Sequence, residues 1–294
     1  MTICSLRVVL GVREALGPAR LRLRGGSVLA ELTVRFGEPA RAKVLAGEVV
    51  DDDGVVVDAH TVRPPGSLVF LYRDLPDEVP VPFDIPVLYR DDDIVVADKP
   101  HFLATMPRGS HVVQTALVRL RCQLGLPELS PAHRLDRLTA GVLLFTTRRE
   151  LRGRYQKLFA AGAVRKTYLA RAAVDPAVLL PRVVRSRIVK RRGQLQAVCE
   201  PGAPNAQTVV ELVSPDGLYR LTPRTGRTHQ LRVHMASLGL PIIGDPLYPN
   251  VIQVAAHDFS LPLQLLAQRI EFDDPVTGSR REFSSRRVTP PVGP

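Results

Sequence analysis

The sequence predicts an α+β protein: a small N-terminal α+β module, then a larger domain built on a mixed, mostly antiparallel central sheet. Two observations predict it. Short apolar strands follow one another along the C-terminal part with few helical stretches between them, the pattern of α+β rather than alternating α/β proteins. The stretch from Asp74 to Pro86 carries Pro76, Pro80, Pro82 and Pro86 among acidic residues. Prolines at that density exclude a helix or a central strand and leave an extended linker. The expected boundaries are a module over 1–75, a linker over 76–86 and a main domain over 87–294.

Within the module, apolar spacing predicts short helices over 29–36 and 40–45, the second stopped by Gly47. Residues 49–50, 55–57 and 68–71 read as strands. They are separated by the turn Asp51-Asp52-Asp53-Gly54 and by Pro64-Pro65-Gly66. In the main domain, strands are expected over 87–89, 94–97, 142–146, 167–170, 208–213, 219–222 and 268–272. Helical periodicity covers 114–124 and 150–161. There is no internal repeat, and the one biased tract is the Pro-rich tail from Val288 to Pro294.

The chain carries 40 Lys and Arg against 29 Asp and Glu, a formal charge of +11. Such an excess attracts polyanions at a distance. It is concentrated: between Leu151 and Arg192 lie twelve basic residues and a single acid, Asp175. Aromatics are few and Trp is absent, so base stacking must rest on a few Tyr and Phe. Cys4, Cys122 and Cys199 are dispersed and form no C-x-x-C pair, which excludes a disulfide framework and a zinc ribbon and fits a reducing compartment. No sustained apolar run follows Met1, and none elsewhere could span a bilayer. A cytoplasmic protein is expected. With no apolar interface stripe, a monomer is the expected state.

Three stretches are dense in chemistry. Pro131-Ala132-His133-Arg134-Leu135-Asp136-Arg137-Leu138-Thr139-Ala140-Gly141 runs into an apolar strand. A carboxylate flanked by Arg134 and Arg137 is expected to stay ionised, and an ionised carboxylate is a competent nucleophile. Arg224-Thr225-Gly226-Arg227-Thr228-His229-Gln230-Leu231-Arg232-Val233-His234 opens on a glycine turn and is crowded with donors suited to phosphates and base edges. Leu231, Val233 and Met235 are interleaved there, which points to a partly buried element rather than a solvated basic helix. Arg165-Lys166-Thr167-Tyr168 enters a strand inside the basic stretch.

Together these motifs resemble the RluA-type pseudouridine synthases. The resemblance rests on His133-Arg134-Leu135-Asp136-x-x-Thr139-x-Gly141, Lys166-Thr167-Tyr168, Gly226 to His234, and Gly244-Asp245-x-x-Tyr248. Further matches are residues 88–93 and Asp98-Lys99-Pro100, so it spans roughly 87–272. The helix–helix–hairpin pattern of the module is similar to the S4-type RNA-binding fold that often precedes such domains. The resemblance implies a pseudouridine synthase fold and conversion of specific uridines in rRNA or tRNA, with no metal and no organic cofactor. Asp136 matches the catalytic aspartate and Tyr168 the tyrosine that packs on the target base and assists late proton removal from C5. Arg232 matches the arginine that pairs with the catalytic carboxylate, and Arg134 one that fills the space left by the flipped nucleotide. Arg227, His229 and Lys166 are expected to line the substrate site.

The chain departs from the family at three places. Ala140 stands where Ser is usual, Leu265-Leu266-Ala267 where Leu-His-Ala is common, and the segment from His101 to Pro107 is unusual. A non-catalytic RNA-binding or ribosome-assembly protein on the same scaffold is the alternative; it would be free to lose Asp136, Tyr168 or Arg232, and all three are present. A metal-dependent hydrolase would have to use His133, Asp136, His229 and His234, whose spacing lacks the i, i+4 pair of a helical site. A glycosidase needs a second carboxylate, which the Asp136 motif does not supply.

Overall fold

A computed structural model describes residues 16–72, 74–75 and 77–288. The stretch after Met1 read above for a leader, Cys4, and the tail beyond residue 288 lie outside the described residues. The chain divides into two compact units, 1–77 and 78–294.

The first unit contains β1 (Ala19–Arg22), β2 (Gly26–Ser27), α1 (Val28–Phe36), α2 (Glu38–Leu45), β3 (Val49–Asp51), β4 (Val62–Arg63) and β5 (Leu68–Leu71). Ser27 caps α1 by accepting from the Ala30 N–H at 3.3 Å, and Pro39 sits in the first turn of α2, where a missing N–H costs nothing. The strands β1, β5 and β3 form an antiparallel sheet, and β2 pairs with β4. Leu21, Leu23, Val28, Leu32 and Val69 are among the side chains that fill its core. The strand expected over 55–57 is reduced to one bridge, Val50 to Val56. Asp51 explains this: its Oδ1 accepts from the N–H groups of Asp53 (3.1 Å) and Val55 (2.9 Å), so a side chain takes the bonds a ladder would use.

The second unit runs β6 (Val87–Arg90), β7 (Ile94–Lys99), α3 (Ala116–Leu124), β8 (Ser130–Pro131), β9 (Ala140–Thr146), a 3-10 turn at Arg149–Leu151, α4 (Arg152–Ala160) and β10 (Arg165–Arg171). Then come β11 (Arg182–Val189), β12 (Val198–Glu200), β13 (Ala206–Ser214), β14 (Leu218–Pro223), α5 (Gln230–Ser237), β15 (Leu265–Asp273) and β16 (Arg280–Ser284). They build one sheet in the order β12-β11-β13-β14-β10-β15-β9-β7-β6, with β16 on β15 and β8 on β9. The sheet is mixed and mostly antiparallel, as expected; β15 and β9 are its parallel pair. Gly141 is required at that junction: its φ is +113°, and a Cβ there would strike the Ala267 carbonyl.

Among its described residues, the Pro-rich stretch read as a linker has neither helix nor strand, yet 78–86 is fastened to the second unit. Glu78 accepts from the N–H groups of Val112, Val113 and Gln114, Arg119 donates to the carbonyls of Val81 and Phe83, and Ile85 is buried in the core. Prolines deny this stretch a ladder, so side chains and loop amides hold it instead. Among the described residues, no helix is long and apolar enough to cross a membrane.

Candidate active site

Asp136 lies on the loop between β8 and β9, held by residues distant in sequence. Thr105 Oγ1 donates to the Leu135 carbonyl (2.8 Å) and accepts from the Leu135 N–H (3.1 Å); the Thr139 N–H donates to the Asp136 carbonyl (3.1 Å). Beneath the loop, Lys99 at the end of β7 is fully buried and donates to the carbonyls of Pro100 (2.9 Å), Leu103 (2.8 Å) and Arg137 (3.2 Å). Burial pulls its ammonium down to about 7, against the opposing pull of Asp136.

Tyr168 sits where the register of β10 against β15 shifts, between Thr167 and Tyr168. Such an irregularity re-aims a side chain, and this one packs against both large core clusters beside the Asp136 loop. Burial and the negative charge of Asp136 push its phenol up, so it stays protonated at neutral pH.

Arg232 enters from the first turn of α5, 2% exposed. Its Nε and Nη2 donate to Asp245 at 2.8 and 2.5 Å, a bidentate pair, while Nη1 stands 3.9 Å from Asp136 Oδ2. The arginine expected to pair with Asp136 is thus gripped first by Asp245 and turned towards Asp136 by it. Asp245 is itself held by the N–H groups of Leu247 (2.8 Å) and Tyr248 (3.2 Å). The two arginines adjacent to Asp136 in sequence make no ion pair with it: Arg137 donates to the Phe102 carbonyl at 3.4 Å, and Arg134 is exposed. The cation near the carboxylate comes from another element, α5.

All seven residues expected at the site, Asp136, Tyr168, Arg232, Arg134, Lys166, Arg227 and His229, line a single cleft of about 710 Å³. That volume lies within the range of small-molecule sites. The turn 224–227 forms one lip. Gln230 fastens it with all four of its hydrogen bonds: Oε1 accepts from Thr225 Oγ1 (2.7 Å) and the Arg227 N–H (3.0 Å), and Nε2 donates to the Gln207 carbonyl (3.0 Å) and Thr208 Oγ1 (2.9 Å). Lys166 donates to the Thr225 carbonyl at 3.4 Å, and Arg227 Nε to the Asn205 carbonyl at 3.2 Å.

Sequence reading assigned no role to Lys99, Asp245, Tyr248 or Gln230. All four stood inside matched motifs; their burial and partners were the missing signal. Two of the departures from the family pattern meet in space: Ala140 is the register partner of Leu266 across the parallel pair β9–β15. Both positions are buried and apolar in this chain.

The metal reading finds little support. Both ring nitrogens of His234 are engaged, by Thr208 (2.9 Å) and Ser186 (3.0 Å), and His133 Nε2 accepts from the Leu144 N–H at 3.1 Å. Among the described residues, the group with metal-ligand spacing is Asp51-Asp52-Asp53 in the first unit, where Asp51 is paired with Arg63 at 2.7 Å.

Comparison with known proteins agrees with the geometry. Residues 93–237 match the family described as RNA pseudouridylate synthase. The chain is 32% identical over 206 residues to the dual-specificity RNA pseudouridine synthase RluA of Yersinia pestis, covering 67% of this chain and 96% of that protein. It is 32% identical over 233 residues to the mitochondrial tRNA pseudouridine(32) synthase of Saccharomyces cerevisiae, covering 76% of this chain and 49% of the yeast protein, about half its length. Human RNA pseudouridylate synthase domain containing 1 superposes with a TM-score of 0.55 at 23% identity, over 69% of this chain and 84% of that one, a likeness of fold.

Proposed function

We infer that this chain, which belongs to the RluA-type RNA pseudouridine synthases, isomerises uridine to pseudouridine in structured RNA, ribosomal or transfer, with Asp136 as the nucleophile. The observation that carries the reading is the meeting of Asp136, Tyr168 and Arg232, from a loop, a strand and a helix, in one cleft. Tyr168 and Arg232 face the carboxylate from elements far apart in sequence.

In the reaction, the N1–C1′ bond of uridine breaks, the base turns, and a C5–C1′ bond forms. A proton leaves C5 and one is gained at N1, so nothing is added or lost. Asp136 attacks either C1′ or the electrophilic C6. Arg232, held by Asp245, keeps a cation beside the carboxylate. Tyr168, a neutral phenol, packs on the base and helps carry the C5 proton away. The base must leave its stack at a cost of roughly a few kcal/mol, which Arg134 offsets by filling the vacated space. Lys166 and Arg227 bind the phosphates, and His229 binds the nucleotide. The chemistry calls for neither a metal nor an organic cofactor.

Phosphates beyond the target meet the exposed Arg182, Arg185, Arg187 and Lys190 of the β11 region, part of the basic stretch. The first unit acts as an S4-like RNA-binding module. The dispersed cysteines fit a reducing, cytoplasmic compartment, and the lack of an apolar interface stripe in the sequence fits a monomer. The test is pseudouridine mapping of total RNA from cells lacking this protein, complemented with wild type or with Asp136→Ala. A site that vanishes on deletion and returns with wild type alone identifies activity, substrate and nucleophile together. Restoration by Asp136→Ala would remove the nucleophile, and an unchanged map would leave the RNA-binding scaffold.

A further inference from the structure

His229 precedes α5 with φ +58° and ψ +16°, one of two non-glycine residues with positive φ among the described residues. A side chain in this region strains the backbone, and such residues gather at functional sites. The backbone fixes where the ring leaves the chain, and Tyr248 fixes its protonation. The Tyr248 hydroxyl donates to the Ala197 carbonyl (2.9 Å), accepts from the Ala197 N–H (2.7 Å), and lies 2.9 Å from His229 Nδ1. A phenol has one proton and two lone pairs. The proton serves Ala197, which is buried, so the remaining lone pair can only accept and Nδ1 must carry the hydrogen.

The other nitrogen, Nε2, is then a bare acceptor with no partner among the described residues. Burial lowers the ring's pKa, opposed by Asp136 and Asp245 and reinforced by Arg232 and Lys190, so the ring is neutral at physiological pH. It lines the cleft with Asp136, whereas the other charged side chains there, Arg134, Lys166, Arg224, Arg227 and Arg232, can only donate. Donors serve phosphates and carbonyls; reading an O–H or N–H takes an acceptor.

We propose that His229 Nε2 accepts a hydrogen bond from the target uridine, with Tyr248 as the positioning residue that holds its tautomer. The proposal rests on the cleft being the uridine site. Uridine offers two suitable donors, the ribose 2′-hydroxyl and the N3–H of the base, and substrate analogues separate them.

The experiment is single-turnover kinetics on a stem-loop carrying the mapped uridine, unmodified or with 2′-deoxyuridine or N3-methyluridine at that position. Wild type is compared with His229→Asn, which tolerates the left-handed backbone, and with the milder Tyr248→Phe. His229→Asn is expected to slow the unmodified RNA about tenfold or more. One analogue, slow with wild type, is expected to bring no further slowing in that variant, and it identifies the donor. Tyr248→Phe is expected to show the same pattern with a smaller loss. If both analogues slow wild type and His229→Asn by equal factors, or if His229→Asn leaves the unmodified rate unchanged, the inference is overturned while the function stands. If no uridine maps to this protein, the reading of the cleft falls first.

Discussion

Along the inner wall of the cleft, Arg232 is gripped by Asp245, His229 by Tyr248, and Gln230 by four hydrogen bonds. Along the rim, Arg134 has no such partner among the described residues, and Lys166 and Arg227 side chains donate to one carbonyl each. Similar residue types are thus used in opposite ways. On the wall, partners remove rotamer freedom before substrate arrives, so groups that must meet a transition state need no reordering. On the rim, charges are left available to polyanion, and their cost is conformational entropy at binding.

Breaking the wall is expected to have the larger effects. Asp245→Asn leaves a buried guanidinium without its anion, a loss of roughly 3–5 kcal/mol in folding stability for such pairs, with activity falling even where the protein stays folded. Thermal melting and single-turnover rate are the readouts; an unchanged rate in folded protein would mean Asp245 does not orient Arg232. Tyr168→Phe should bind RNA as wild type does while forming product roughly 10²-fold more slowly. Equal losses of binding and turnover would make the tyrosine purely structural.

At the rim, Lys166→Ala and Arg227→Ala should weaken RNA binding without slowing the saturated reaction. Each should reduce the slope of log affinity against log salt by about 1. A flat salt dependence of wild type would remove the placement of phosphates on this surface and on the β11 arginines.

An acid effect on stability stands apart from these. Burial lowers the pKa of His133 to about 3 and of His101 and His234 to about 4, from 6.5. Below 6.5 the unfolded chain takes up protons that the folded one refuses, so stability falls as the pH drops from 6.5 towards 4. Melting temperatures across that window check the sign.

Much of this was legible along the chain. The motifs around Asp136, at 165–168 and at 224–234 placed seven residues that the fold gathers into one cleft. The strands over 94–97 and 142–146 were legible because buried strands show continuous apolar runs. Less legible were β1, β11 and β16, whose arginine-rich exposed faces hide the alternation, and α5, whose buried Arg232 and His234 break any apolar stripe. Valines over 55–57 misled because propensity does not register that Asp51 captures the backbone first.

By itself the sequence determined the fold class, the family resemblance and which residues the fold gathers in one cleft, since residue types and their order are written in one dimension. The tertiary structure decided the pairings: that Asp245 grips Arg232, that Lys99 anchors the loop of Asp136, and that Ala140 faces Leu266. Interactions of a few ångströms between residues dozens of positions apart leave no spacing to read. Their strength depends on burial, which only the folded chain creates.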